Sequence, residues 1–508
     1  METIKQVGVK ALIMALALFS FIDADAKVIP NPIFADNMVL QQNAQVAFWG
    51  EAKAGAMVKI SPSWSRKSVK VQADADGKWF TRLATPSAGG PYEIVLEDGE
   101  KTRISNVLIG EVWLCSGQSN MEMPVKGWPG QPIAGSADYI LGADAQLPVR
   151  HCYVKRETAL SVRDKCTATW TENTPEGVAE SSAYAYFFAR KLNEILDVPV
   201  GVINVSWGGS SIQAWMSREL LEREFAGDVD LKAYELGRWP EGQQGFVPAC
   251  LYNAMLHPLA PFTIKGFIWY QGCNDRSDYR LYRRMQPAFV SMLRQEWGDD
   301  TLPFYFTQIA PYSYGNPDDC LSGYFMWTQA LTLEDIPHSG MVSTADVGEK
   351  DCIHASDKKT PAERMANLAL VNTYGYSSAV DVQTPVAESF AFVNGVAEVT
   401  FRTGSLGLMP ISTDLQGFEL AGEDGVFRPA VGRIDENRTN LVRVQSPEVP
   451  APVAVRYCMK NWFVPTLFNC SGIPASPFSS DYDETKSVAE YMNWQYTLPR
   501  GLTRRAQG

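Results

Sequence analysis

The chain has 508 residues, a formal net charge of -12 and a composition that is 45% hydrophobic and 20% charged. That composition excludes a disordered or fibrous protein, and the acidic balance excludes a nucleic-acid binder, which needs basic grooves. The length exceeds one compact core and implies several domains.

The first 26 residues read as a signal peptide. Lys5 and Lys10 precede an apolar run from Ala11 to Ile22, and Ala24-Asp25-Ala26 fits a small-x-small cleavage site. The expected location is outside the cytoplasm, periplasmic or extracellular, with no membrane attachment after cleavage. Export permits disulfides, and Cys152/Cys166 and Cys458/Cys470 are close in sequence, but nine cysteines leave one unpaired within a monomer. No Cys/His spacing indicates a metal site.

Residues 27–108 carry short alternating runs such as Val46-Trp49, Val58-Ile60 and Trp79-Leu83, separated by turn residues. This predicts an N-terminal β-sandwich domain. From 109 to 380 the pattern alternates strand and helix. Strands are predicted at Val112-Cys115, Val200-Val205, Ile264-Tyr270, Phe304-Ile309 and Met341-Ala345. Helices are predicted at Ser181-Leu196, Tyr279-Trp297, Gly323-Glu334 and Pro361-Tyr374. Such alternation predicts an α/β fold whose mostly parallel sheet is covered on both faces. Residues 381–508 return to a β-rich pattern.

Ligands of parallel sheets bind beyond the carboxyl ends of the strands, and four such loops carry candidate chemistry. Gly117-Gln118-Ser119 places a serine on a tight turn after a strand. Trp207-Gly208-Gly209-Ser210 offers backbone N–H groups to an oxyanion, or equally a glycine-rich turn with a serine cap. Gln271-Gly272-Cys273-Asn274-Asp275 offers a side-chain amide donor, Asn274, or an ordinary Asx turn. Asp351-Cys352-Ile353-His354 offers a histidine base three residues after a carboxylate, with Asp346 as the rival orienting acid. Among the four histidines, at 151, 257, 338 and 354, His354 alone lies in such a loop.

These residues resemble the SGNH hydrolases in order and content: Ser119, Gly209, Asn274 and His354. Val112-Trp113-Leu114 and Gly117-Gln118-Ser119-Asn120-Met121-Glu122-Met123 are similar to the sialate O-acetylesterases. So are Asn204-Val205-Ser206-Trp207-Gly208-Gly209-Ser210 and Trp269-Tyr270-Gln271-Gly272. The resemblance implies an SGNH-type, flavodoxin-like three-layer sheet flanked by all-β accessory domains. It implies a serine esterase that hydrolyses O-acetyl esters of a sugar, sialic acid or a plant polysaccharide, through an acetyl-enzyme. Ser119 would be the nucleophile, His354 the base and Asp351 its orienting acid. Ser119, Gly209 and Asn274 would form the oxyanion hole, while Gln118, Trp207 and Gln271 would touch substrate, with no metal or cofactor. The chain departs from that family in three places. Cys273-Asn274-Asp275 stands where Glu, a small residue and Asn are usual, so Asp275 rivals Asn274 for the donor position. Ala355 replaces the proline after the histidine, and Gln213 replaces a glutamate. Two alternatives follow: an acetyl xylan esterase, or a catalytically inactive carbohydrate-binding protein.

Overall fold

A computed structural model describes residues 27–238, 246–376 and 379–483; the expected signal peptide lies outside the described residues. Seven strands form the main sheet in the order Ala168–Thr171, Val149–Val154, Val200–Ser206, Lys101–Gly117, Gly266–Tyr270, Phe304–Thr307, Ser339–Val342. All neighbours are parallel except the first pair.

Alternate residues of these strands enter two separate cores, as period-2 side-chain geometry requires. Trp113, Cys115, Ile268, Tyr270 and Tyr305 pack with Phe188 and Leu192 of helix Ala183–Leu196 and with Met365 and Leu368 of helix Lys359–Asn372. Leu114, Phe267, Trp269, Phe304 and Phe306 pack with Phe289 and Leu293 of helix Tyr279–Trp297 and with Phe325 of helix Leu321–Leu331. Being wet on neither face, the inner strands Val200–Ser206, Gly266–Tyr270 and Phe304–Thr307 are nearly continuous apolar runs. Helix boundaries follow local chemistry. The Ser182 hydroxyl accepts the Ala185 N–H at 3.2 Å, and Gly298, at φ +67°, closes the helix that ends at Trp297.

Residues 27–108 contain strands and no described helix. The 17-residue strand Lys101–Gly117 pairs at its start with Gly89–Glu97 and at its end with Val200–Ser206 and Gly266–Tyr270. It therefore belongs to the N-terminal sheet and to the main sheet at once, and what reads in sequence as a short strand at Val112-Cys115 is its last part. A seven-stranded antiparallel sheet, from Val386–Val393 to Phe478–Ser479, follows. All nine cysteines are free thiols, so the two sequence-adjacent pairs are unbonded. No described helix is long and apolar enough to cross a membrane.

Candidate active site

All four loops singled out in sequence meet around the end of the central strand. Gly117 ends that strand at φ +143°, a backbone only glycine adopts readily. A β-carbon there would stand 2.2 Å from the Tyr270 carbonyl oxygen of the adjoining strand. The chain then turns into the short helix Ser119–Glu122. Ser119 is 9% exposed, and its hydroxyl makes no hydrogen bond to a described side chain. The N–H of Trp207 binds the Gly117 carbonyl at 3.0 Å, which brings the glycine loop against the serine turn: a β-carbon on Gly208 would lie 3.3 Å from Ser119 Cβ.

The two glycines of that loop differ. Gly208 N–H donates to Glu122 Oε2 at 2.5 Å. Gly209, at φ +75°, keeps its N–H out of any hydrogen bond with a described residue, as does Ser119. Two free amides beside a serine hydroxyl are the donor set an oxyanion needs. Glu122 also accepts from Arg156 at 2.8 Å, and that guanidinium lies 5.6 Å over the Trp207 ring. Burial pushes the Glu122 carboxyl up, opposed by Arg156 and the Gly208 amide. Trp207 is half-buried at this rim, the one expected substrate contact placed where a ligand can reach it.

The histidine loop is fastened to the serine turn by Asn120, whose Nδ2 donates to the Ile353 carbonyl at 3.2 Å. Asn120 follows Ser119 and Ile353 precedes His354, so serine and imidazole are carried on joined segments. The structure corrects the expected orienting acid. Asp351 is exposed and makes no hydrogen bond or ion pair with a described residue. Asp346 is held by Arg364 through two bonds of 2.7 Å. The partner of His354 Nδ1 is instead Gln131 Oε1, at 2.5 Å, while the Trp128 ring meets the imidazole edge-on at 5.0 Å. A carbonyl acceptor requires Nδ1 to carry the proton, which leaves a lone pair on Nε2. Burial, and then the Lys358 ammonium, lower the His354 pKa to about 4.

Gln131 escaped the sequence reading because Gly130-Gln131-Pro132 follows no strand and carries no charge. Its loop is closed by reciprocal Trp128–Gln131 backbone bonds of 2.9 Å and tied to the histidine loop by Ala134 N–H on the Ser356 carbonyl, at 3.0 Å.

The fourth loop also differs from expectation. Asn274 is exposed with its side chain unbonded among the described residues, so it is not an oxyanion donor in this arrangement. Asp275 turns inward instead. Its carboxylate accepts the Ile212 N–H at 3.2 Å and a short bond from Gln271 Nε2. Burial raises its pKa to about 7. Gln271 is 0% exposed and spends its amide on Asp275 and on the Ser210 carbonyl at 2.9 Å. It is an internal strut and not a substrate contact. Gln118 is likewise buried at 3% exposure, with Oε1 on the Gly272 N–H. Among the described residues no cluster of metal-ligating side chains occurs.

Comparison with known proteins agrees with this architecture. Residues 109–370 match the family described as carbohydrate esterase, sialic acid-specific acetylesterase. The sialate O-acetylesterase of Rattus norvegicus is 29% identical over 400 residues, covering 67% of this chain and 73% of the relative. The Homo sapiens sialate O-acetylesterase is 29% identical over 376 residues, covering 67% and 70%. The crystal structure of a carbohydrate acetylesterase from Xanthomonas citri superposes with a TM-score of 0.79 at 32% identity, covering 90% of this chain and all of the other. The chain belongs to the carbohydrate esterase, sialic acid-specific acetylesterase family.

Proposed function

We propose that this chain is a serine esterase that removes acetyl groups from sugar hydroxyls, with Ser119 as nucleophile and His354 as general base. The observation that carries the reading is the Asn120–Ile353 bond of 3.2 Å. It joins the serine turn to a histidine whose free nitrogen is Nε2. Ser119 Oγ attacks the acetyl carbonyl while Nε2 takes its proton. The N–H groups of Ser119 and Gly209 hold the oxyanion. The tetrahedral intermediate collapses as imidazolium gives its proton to the departing sugar oxygen. Water, deprotonated by the same nitrogen, then attacks the acetyl-enzyme and releases acetate and free Ser119. Gln131 holds the tautomer but brings no negative charge to the imidazolium.

The two-faced parallel sheet with its loops at the carboxyl ends fits the SGNH, flavodoxin-like arrangement, with β-rich regions on either side at 27–108 and 381–508. The charged and apolar pattern of the first 26 residues supports export to the periplasm or beyond. The family supports an O-acetylated sialic acid as substrate; acetylated xylan or another polysaccharide is the second reading, because a carbohydrate acetylesterase is among the similar structures.

The test is acetate release from O-acetylated sialic acid and from acetylated xylo-oligosaccharides, beside Ser119→Ala. Release from the first alone, lost in Ser119→Ala, supports the sialate reading. Release mainly from the second keeps the mechanism and changes the substrate. Failure of an organophosphate probe to label Ser119, with both substrates intact, would make the chain an inactive carbohydrate-binding protein.

A further inference from the structure

Lys358 is a buried cation that the reaction as written does not use. It is 2% exposed, and its ammonium donates a short hydrogen bond to the carbonyl of Ala355, the residue after His354. Its own backbone N–H binds the Ser356 carbonyl at 3.2 Å, and its carbonyl accepts the Ala362 N–H at 3.3 Å in helix Lys359–Asn372. The side chain thus folds back from the helix onto the segment that bears the imidazole.

No carboxylate among the described residues pairs with this ammonium. The nearest acids are occupied elsewhere. Glu349 Oε1 accepts the Ser356 N–H and hydroxyl at 2.7 and 2.6 Å, and Asp357 accepts from Thr360 at 2.9 and 2.7 Å. Cys352 and Cys273 are the remaining titratable groups that act on Lys358, and burial holds its pKa down to about 8. A group with that pKa is charged at neutral pH.

The groups facing His354 are Gln131 and Trp128, from the 124–135 loop, and Lys358 and Cys352, from its own segment, the Cys352 thiol donating to the His354 carbonyl at 3.3 Å. None is a carboxylate. An imidazolium there would be half-buried beside an unpaired ammonium, with a neutral amide where a carboxylate would otherwise balance it. Desolvation and a like charge both disfavour the charged form.

We infer that Lys358 is a positioning residue of the esterase site: it clamps the backbone that carries His354 and, with Gln131 in place of an acid, keeps the imidazole available as a base in acidic surroundings. The inference rests on His354 being the general base. Deacetylation would then persist at pH values where a carboxylate-backed histidine is already protonated.

The test is a proton NMR titration of His354 in the Ser119→Ala chain, assigned by comparison with Ser119→Ala/His354→Gln. A midpoint near 4 is expected. Lys358→Met should raise it, by less than burial lowers it, and Lys358→Arg should restore it. The acid limb of kcat/KM in the Ser119-containing proteins should move in the same direction. A parent midpoint at or above the ordinary histidine value, or no shift in folded Lys358→Met, overturns the inference. If Lys358→Met fails to fold, Gln131→Glu serves instead: the added carboxylate should raise the midpoint, and an unmoved midpoint overturns the inference. Undiminished acetate release by His354→Ala would defeat the general-base reading itself, an outcome separate from any titration result.

Discussion

Gln118 Oε1 accepts the Gly272 N–H at 2.9 Å, so the residue before Ser119 is bolted to the loop that follows the neighbouring strand. Both groups are buried. Gln118→Ala leaves that amide without a partner, which costs about 1–3 kcal/mol. We expect a lower melting temperature together with a fall in kcat larger than any rise in KM, because the bond sets the serine turn rather than gripping a ligand. An unchanged melting temperature would refute the role.

Gly117 tolerates no side chain. Its φ of +143° and the 2.2 Å approach to the Tyr270 carbonyl both oppose a β-carbon, and the obstructing atom is backbone. Gly117→Ala should therefore destabilise by about 3 kcal/mol or more, seen as loss of soluble protein or a large drop in the denaturant midpoint. Gly130→Ala, at φ +73° but with no atom within 4 Å of the added carbon, should cost only the left-handed backbone term of about 1–2 kcal/mol.

His151 lies within the strand Val149–Val154 and is 5% exposed. Its Nε2 accepts the Ser182 N–H at 3.2 Å, and burial lowers its pKa to about 4. As pH falls from the ordinary value of about 6.5 toward 4, the unfolded chain takes a proton that the folded chain refuses. The contribution is thus complete above the upper value and lost on acidification through that window, by on the order of 3 kcal/mol at the limit. Urea titrations at pH 7 and pH 5 should show a smaller loss in His151→Gln than in the parent protein.

Asp275 has the opposite sign. Its folded pKa, about 7, exceeds the usual carboxylate value because of burial. Stability is full below the unfolded value near 3.9 and falls as pH rises to about 7, since only the unfolded carboxyl ionises freely in that range. Asp275→Asn, which keeps an oxygen for the Ile212 N–H and Gln271, should gain on the order of 1–2 kcal/mol over the parent at pH 8 after allowance for partial solvation. A melting temperature of Asp275→Asn no higher than the parent's at pH 8 would contradict this.

The parts legible in sequence were those governed by local pattern. Helix Tyr279–Trp297 coincides with its expected bounds, and the apolar runs at Val200 and Phe304 are strands. Their side-chain period and flanking glycines specify them without reference to the rest of the chain. Strand Arg428–Asp435 carries no such signal, because Pro429 and Val431 lie on its exposed face while the small residues Ala430 and Gly432 point inward. The site was legible where a turn demands a residue type, as at Gly117 and Gly209. It was not legible where partners come from distant loops. Gln131 and His354 are 223 positions apart, and nothing in Asp351 itself reveals that its side chain faces solvent. The choice between Asn274 and Asp275 depended on which residue of one turn points inward, which only the bonds to Ile212 and Gln271 reveal.

The strand Lys101–Gly117 also bears on how this enzyme can be divided. Its first half is stitched to Gly89–Glu97, and its second half ends at the glycine that presents the serine turn. Cutting the chain at 108/109 would sever one ribbon of hydrogen bonds and strip the catalytic region of the leading half of its axial strand. The N-terminal region is accordingly no detachable appendage. Grafting the esterase onto another scaffold, or trimming it to a minimal catalyst, would have to begin upstream of Val39, whose strand also pairs with that ribbon, to keep it whole.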